Sequence, residues 1–355
     1  MRFAPGTFLN VYLKQHKVHR NDCGVFSFDA MRLLLLCILL TVIGACGNNE
    51  RDALLDNPPY AALTDSIRRA PRNADLYYQR GQLLFGNNEF AAAKRDLRSA
   101  WTLQPREDIA LSLATALRHE SNDSAFAFLQ SARKKLPQSI ALAIGLARGY
   151  QDKGQRDAAL EICANILTVF PNQLDALQLQ ADLFEESGRD ADALKSLQTA
   201  YGYAPFDVEL VHRLCFAYAQ AGDARVLPIT DSLMTLDKQG VHPEPYYFRG
   251  VYYEQKGNST EAIRWLDEAI RHDYNYLDAH MEKGVVQYDQ KRYNDALKTF
   301  QLALTITPTY ADGYYWVGKC LEAQGNKEDA RTNYQRAYGL DKTNKQAKEA
   351  AERLK

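Results

Sequence analysis

The sequence has no excess of basic residues. Its 43 Lys and Arg are balanced by 44 Asp and Glu, which gives a net charge of −1 over 355 residues. A nucleic-acid-binding surface needs clustered Lys and Arg to neutralise phosphates, so we do not expect a nucleic acid as partner. The chain is 46% hydrophobic and 25% charged, which is typical of a globular protein with enough apolar side chains to form a core.

The sequence also lacks the common catalytic motifs. It contains no His-Glu-x-x-His, no Gly-x-Ser-x-Gly and no phosphate-binding glycine-rich loop. Its seven His are scattered and its six Cys form no Cys-x-x-Cys pair, which disfavours metal and redox sites. Cys163, Cys215 and Cys320 fall within the repeats described below, where we expect small buried apolar side chains. We therefore predict a protein that is not an enzyme and binds no cofactor or metal.

The N-terminal apolar run is too short to cross a membrane comfortably. It follows Arg32 and covers residues 33–43, about 11 residues, whereas a spanning helix needs about 20. The small residues Gly44 and Ala45 come next, and Cys46 follows them. A positive charge, a short apolar segment and small residues in this order are typical of a signal peptide.

The end of this segment, Ile43-Gly44-Ala45-Cys46, resembles the bacterial lipobox. The resemblance implies cleavage before Cys46, lipidation of that cysteine and lasting attachment to a membrane. Because Gly47 replaces the Asp that retains enterobacterial lipoproteins in the inner membrane, the resemblance implies the outer membrane, with the chain facing the periplasm. The N-terminal part then divides into an upstream extension, a signal peptide and a polar tether, at residues 1–30, 31–45 and 46–58, with translation starting at Met31.

Three residue types recur along the rest of the chain with a period of about 34 residues. Alanines mark it at Ala93, Ala125, Ala159, Ala193, Ala262, Ala296 and Ala330. Prolines mark it at Pro71, Pro105, Pro137, Pro171, Pro205 and Pro308. Glycines mark it at Gly154, Gly188, Gly222, Gly257 and Gly325. A period shared by three residue types indicates a repeat protein rather than a single globular fold.

The best-matching repeat covers residues 74–107. Its positions 4, 8, 11, 20, 24, 27 and 32 hold Tyr77, Gly81, Leu84, Ala93, Leu97, Ala100 and Pro105. This pattern resembles the tetratricopeptide signature, and further repeats begin at residues 106, 140, 174, 208, 243, 277 and 311. The resemblance implies an all-α, right-handed superhelical solenoid of about eight helix-turn-helix repeats. We expect a lone helix before it, over residues 59–70, and a polar C-terminal capping helix over residues 344–355.

The repeated residue types have physical reasons. Small residues at positions 8 and 20 let two helices approach closely, and large residues at positions 4, 11 and 24 fill the space around that contact. Gly at position 15 supplies the left-handed backbone that ends the first helix. Position 2 is acidic in seven repeats, and a negative charge in the first turn favours the helix dipole. These carboxylates are Asp75, Glu107, Asp175, Glu209, Glu244, Asp278 and Asp312.

The fifth repeat departs most from the pattern. Leu227 stands where Ala is expected and Pro228 follows it. Because proline is tolerated only in the first turn of a helix, we predict that the second helix starts near Pro228 and runs to about Lys238. The following segment, with Gly240, His242, Pro243 and Pro245, predicts an irregular joint. We expect the array to divide there into two blocks, residues 59–239 and 240–355.

In the tetratricopeptide family the first helix of each repeat lines a concave groove through positions 2, 5, 9 and 12. On this sequence the resemblance gives the candidate partner-binding residues Tyr78, Arg148, Phe216, Tyr247, Met281, Tyr288, Tyr315 and Lys319. Aromatic side chains are favoured anchors in protein interfaces, so we expect four aromatic residues and one apolar residue to grip a partner segment: Phe216, Tyr247, Tyr288, Tyr315 and Met281. The alternative is that these side chains only pack against their neighbours. No repeat has Lys at position 5 with Asn at position 9, the pair of the chaperone-tail clamp.

The leading interpretation is a scaffold of the bacterial cell envelope, anchored through lipidated Cys46, that binds other envelope proteins. A second is a cytoplasmic or membrane-spanning regulator that keeps residues 33–45 as an uncleaved anchor. A third is a peptidoglycan or carbohydrate binder that uses the groove, which is suggested by the 21 Tyr of the chain. Retention on purified sacculi would separate the third from the first.

Overall fold

The structure is a computed structural model that describes residues 53–354. This part of the chain forms consecutive α-helices joined by short loops, with no strand. We number its eighteen helices in chain order: α1 (Ala61–Arg69), α2 (Ala74–Gly86), α3 (Phe90–Leu103), α4 (Glu107–Arg118), α5 (Asn122–Lys135), α6 (Ile140–Asp152), α7 (Arg156–Val169), α8 (Leu174–Glu185), α9 (Asp190–Tyr203), α10 (Val208–Gln220), α11 (Val226–Leu236), α12 (Glu244–Gln255), α13 (Ser259–His272), α14 (Leu277–Asp289), α15 (Tyr293–Ile306), α16 (Ala311–Ala323), α17 (Lys327–Leu340) and α18 (Lys345–Arg353). The prediction of an all-α array of helical hairpins is confirmed.

Each repeat that lies within one unit is a helical hairpin, and its two helices meet at the small residues of the signature. In α14 the backbone at Gly284 lies against the ring of Phe300, where an added Cβ would be only 2.4 Å from Cε1. Gly250 lies in the same way against Leu266, and Gly318 against Tyr334. Position 8 is therefore the point of closest approach, and the large residue at position 24 fills it.

Position 15 adopts the left-handed conformation in every repeat except the second, even in the two repeats where it is not glycine. The turn glycines have φ of +60° to +87° at this position, and Asn88 and Lys291 adopt φ of 65° and 61° at the same place in their repeats. Asn tolerates this conformation and Lys does so at a cost. The tight turn is thus imposed by the packing of the two helices, and glycine is its least strained occupant.

The second helix of the fifth repeat, α11, begins at Val226 and ends at Leu236. Both ends come two residues before the predicted ones. Pro228 lies in the first turn, where its missing N–H has no intrahelical partner to lose. In the joint that follows, Gly240 has φ +62°, and the Asp237 carboxylate accepts hydrogen bonds from the backbone N–H groups of Gly240 and His242 at 3.0 and 2.9 Å.

The chain divides into two compact units, with the boundary in the sequence between Arg189 and Asp190; they are called unit 1 and unit 2 below. The predicted block boundary at residue 240 rests on a different feature, the irregular joint, and its role as a boundary stays a prediction. The lone helix and the capping helix are present as α1 and α18, each within three residues of the predicted ends.

The three repeat cysteines, Cys163, Cys215 and Cys320, are fully buried and form no disulfide. Across residues 53–354 no helix has the length and apolarity needed to cross a membrane. The predicted signal peptide and Cys46 lie outside the described residues.

Candidate binding groove

In unit 1 the two candidate residues lie on separate repeats. Tyr78, on α2, is half-buried; its hydroxyl accepts a hydrogen bond from Gln82 Nε2 at 2.7 Å. The guanidinium of Arg106 lies 5.9 Å from its ring centroid. Arg148, on α6, is exposed. The candidate residues of unit 1, Tyr78 and Arg148, therefore offer polar groups rather than a continuous aromatic surface.

In unit 2 the candidate aromatic residues contact one another across successive helices. Phe216 on α10 stacks on Tyr247 of α12, with ring centroids 6.2 Å apart and planes 12° apart. Tyr247 in turn meets Tyr276 edge-on, at 5.5 Å. All three rings are half-buried, so each packs on one side and keeps some surface for a partner. Tyr276 was missed by the sequence analysis because it occupies position 34, just before α14.

A second cluster surrounds Lys319 on α16. Its ammonium lies 4.2 Å from the ring centroid of Trp316, 4.8 Å from that of Tyr288 and 5.9 Å from that of Tyr315. Such contacts stabilise a cation over aromatic faces. Burial lowers the pKa of the Lys319 ammonium below its usual value, because desolvation disfavours the charged form.

Three members of this cluster, Lys319, Tyr288 and Tyr315, line a cavity of about 470 Å³ in unit 2. The opposite side carries Arg353 from α18, which donates to Glu322 Oε2 at 2.9 Å, while Tyr334 donates its hydroxyl to the same oxygen at 2.8 Å. The Arg353 guanidinium lowers the pKa of the Glu322 carboxyl. The capping helix thus contributes part of the lining of this cavity.

Met281 differs from the other candidates. Only 8% of its surface is exposed, and it belongs to the core cluster that contains Phe300, Trp316 and Cys320. The packing alternative therefore describes Met281, which has little surface to offer a partner. For Tyr78, Arg148, Phe216, Tyr247, Tyr288, Tyr315 and Lys319 a binding role stays a prediction.

The acidic residues at position 2 have different surroundings along the chain, and Glu209 of unit 2 is exposed like those of unit 1. In unit 1, Asp75 pairs with Arg106 at 2.6 Å and is exposed. In unit 2, Glu244, Asp278 and Asp312 are half-buried. Burial raises the pKa of the Asp278 carboxyl, and burial followed by repulsion from Asp341 raises that of Asp312.

Nothing in the described part of the chain groups three or more His, Cys, Asp or Glu side chains as a metal site would need. His280 is buried and its Nε2 lies 2.8 Å from the Tyr274 carbonyl oxygen. His272 lies 2.6 Å from the Gly240 carbonyl oxygen through Nδ1. Both histidines therefore hold local structure, as lone histidines in helical arrays usually do.

The helical hairpins recur about every 34 residues, and position 8 is where the two helices of a hairpin come closest. This arrangement defines an α-helical repeat protein. Models of the tetratricopeptide repeat match residues 74–107, 116–183, 247–311 and 311–344. The chain belongs to the tetratricopeptide repeat family.

Relatives share parts of this array. Heat shock protein STI1 of Saccharomyces cerevisiae is 27% identical over 110 residues, which are 29% of this chain and 19% of that protein. Protein O-mannosyl-transferase TMTC1 of Homo sapiens is 24% identical over 215 residues, 59% of this chain and 24% of that protein. The match thus spans no more than about a quarter of either relative's length, so it identifies the repeats and not an activity.

A solved structure supports the fold independently. The tetratricopeptide repeat protein from Parabacteroides merdae superposes with a TM-score of 0.55 at 16% identity, over 79% of this chain and 98% of that one. At that identity the likeness concerns the fold alone.

Proposed function

We propose that this protein is a lipid-anchored scaffold of the bacterial cell envelope that holds a segment of a partner protein in the groove of unit 2. The observation that carries the groove assignment is the half-buried aromatic row formed by Phe216, Tyr247 and Tyr276. The repeats themselves mark a protein-protein interaction scaffold, and the partner and the anchor are the parts proposed.

The aromatic row suits protein binding for energetic reasons. A half-buried ring is already fixed by its neighbours, so a partner that covers it loses little side-chain entropy. Covering the remaining face removes apolar surface from water, at roughly 25 cal/mol per Å². Aromatic anchors of this kind dominate measured interface energies.

The anchor is proposed from the sequence. Arg32, the apolar residues 33–43 and the Ile43-Gly44-Ala45-Cys46 segment have the order that a lipoprotein signal needs. Metabolic labelling with a radioactive fatty acid tests it. We expect label in the wild type and none in a Cys46→Ala variant. Equal labelling of both, or of neither, would favour the membrane-spanning or cytoplasmic alternative.

The groove is tested by crosslinking and affinity capture from the native envelope. We compare the wild type with a Tyr247→Ala, Tyr288→Ala variant and with a matched Tyr203→Ala, Tyr274→Ala control, whose residues are 51% and 56% exposed in loops between repeats or at a helix end. We expect one or more partners to be lost only from the groove variant, while circular dichroism shows intact helices in all three proteins. Identical partners from all three would place the binding surface elsewhere.

A further inference from the structure

The half-buried carboxylates of unit 2 have few partners. The Asp278 carboxylate takes part in no hydrogen bond and no ion pair with the described residues. Glu244 Oε2 is shielded from solvent and accepts no hydrogen bond from the described residues, and the imidazole Nδ1 of His242 lies 3.9 Å from it. Asp312 accepts only a long hydrogen bond of 3.5 Å, from Asn344 Nδ2. A desolvated carboxylate without a cation or donors is unfavourable.

Tyrosine rings share the surface with these carboxylates. Burial, and after it the charges of Asp278 and Glu244, raise the pKa of the Tyr276 hydroxyl. Burial raises the pKa of Tyr247 too, with smaller contributions from Glu282 and Asp278. The geometry agrees, because Tyr276 is the N-cap residue of α14, Asp278 lies in the first turn of that helix, and the Tyr247 ring meets the Tyr276 ring edge-on at 5.5 Å.

Lys319 shows what such rings do with a cation in the same unit. Its ammonium lies over Trp316 and Tyr288. No Lys or Arg of the described residues lies over Tyr247 or Tyr276 in this way. The surface around Asp278 thus has the rings and the negative charge that a cation needs and lacks a cation of its own.

We propose that this acidic-aromatic surface binds Lys or Arg side chains of an extended, basic segment of the partner protein. The surface consists of Glu244, Asp278, Asp312, Tyr247 and Tyr276. The proposal rests on the proposed function, since it names the chemistry of the segment held in the groove of unit 2. A basic side chain would lay its stem along a ring and bring its charged end to a carboxylate.

The repeat spacing sets the spacing of the basic residues. The three carboxylates come from α12, α14 and α16, one repeat apart. Helices that pack side by side lie about 10 Å apart, and an extended chain rises about 3.3 Å per residue. The matching segment therefore carries a basic residue at about every third position.

The test uses the full-length protein and three fluorescent peptides in a polarisation assay. The peptides share an apolar sequence with, at every third position, Lys, Gln or Glu. We expect the Lys peptide to bind at least tenfold more tightly than the Gln peptide, the Glu peptide to bind most weakly, and the preference to fade as salt is raised. Equal binding of the Lys and Gln peptides, or binding of none, overturns the proposal.

A charge-matched pair of variants locates the site. Glu244→Gln with Asp278→Asn removes two carboxylates of the surface, and Glu107→Gln with Asp175→Asn removes two exposed carboxylates from the same repeat position in unit 1. We expect the first pair to weaken binding of the Lys peptide about tenfold and the second to leave it unchanged. An equal loss of affinity for the Lys peptide in the two variants would mean that net charge alone attracts the peptide. That result would refute the acidic-aromatic surface as its binding site.

The result is distinguishable from failure of the proposed function. In the envelope capture experiment, a partner retained by the Glu244→Gln, Asp278→Asn protein but lost from the Tyr247→Ala, Tyr288→Ala protein would keep the groove and refute its preference for basic segments. Loss of the partner from both variant proteins supports the groove and its preference for basic segments. Retention of the partner by both variant proteins refutes the groove and that preference alike.

Discussion

The contact between Gly284 and Phe300 predicts a large effect from a single methyl group. A Cβ at residue 284 would lie 2.4 Å from Phe300 Cε1 and 2.6 Å from Cζ, whereas ordinary van der Waals contacts are 3.4 Å or longer. The ring must then retreat by about 1 Å. It has no free space, because Phe300 is fully buried and stacks on Trp316 with the planes 18° apart.

The magnitude follows from two opposing terms. Overpacking of a filled core costs about 1–3 kcal/mol, and the rigid setting places Gly284→Ala at the upper end. Replacing a helical glycine by alanine gains about 1 kcal/mol. We therefore expect Gly284→Ala to lower the free energy of unfolding of unit 2 by about 2 kcal/mol. This corresponds to a fall in melting temperature of about 4–8 °C for a unit of this size.

Urea unfolding followed by circular dichroism measures the effect, and Gly202→Ala is the matched control. Gly202 lies in the last turn of α9 in unit 2, and a Cβ there would meet nothing within 4 Å. We expect that variant to be unchanged or stabilised by up to about 1 kcal/mol. In a Phe300→Leu background the cost of Gly284→Ala should shrink, since the smaller side chain leaves room. Equal midpoints for the two glycine variants would refute the close-contact reasoning.

Three further predictions concern buried polar groups. Arg80→Ala should destabilise unit 1 by about 3–5 kcal/mol, because it leaves the buried Asp96 carboxylate without the guanidinium that donates to it at 2.6 and 2.9 Å; breaking the exposed Arg68–Asp65 pair is the control and should change the unfolding midpoint little. Burial raises the pKa of Cys163, Cys215 and Cys320 to about 12, so a thiol reagent at neutral pH should label them only in urea, and rapid labelling of the native protein would contradict this. Asp278→Asn should stabilise unit 2 at pH 7 and not near pH 3. Burial raises the folded-state pKa of the Asp278 carboxyl above the ordinary 3.8, so the folded state holds the proton more tightly than the unfolded state. The stability of the wild type therefore falls as pH rises from the ordinary pKa through the raised one. A gain that is the same at both pH values would mean that charge is not its cause.

The repeat signature was sufficient to predict the fold because it encodes packing. Glycine at position 8 and a large residue at position 24 specify one contact, and Gly284 with Phe300 and Gly318 with Tyr334 realise it. The ends of α11 were two residues off because proline fixes only that a helix starts within its first turn, not at which residue. The left-handed turn at Lys291 carries no sequence signal, since the packed hairpin imposes it on a residue that does not favour it.

The binding surface was less predictable, for a physical reason. Counting repeat positions treats Met281 and Tyr315 alike, yet Met281 is buried against Phe300 while Tyr315 remains half-buried beside Lys319. Side-chain exposure depends on the sizes of neighbours from adjacent repeats, which the position number does not contain. Tyr276 was missed for the converse reason, because position 34 belongs to the loop before α14 and lies outside the positions that line the groove in this family.

Position 2 shows how one repeated residue type takes different roles. A carboxylate in the first turn of a helix interacts favourably with the helix dipole in every repeat, and for exposed Asp75 an ion pair with Arg106 completes the account. For Asp278 the dipole is the only favourable interaction within the described residues, and burial opposes it. A repeat that needed only a capped helix would be served as well by an exposed residue, as it is at Glu107 and Asp175. The half-buried, unpaired carboxylate is therefore the feature that packing does not explain, and a cation from a partner is what would satisfy it.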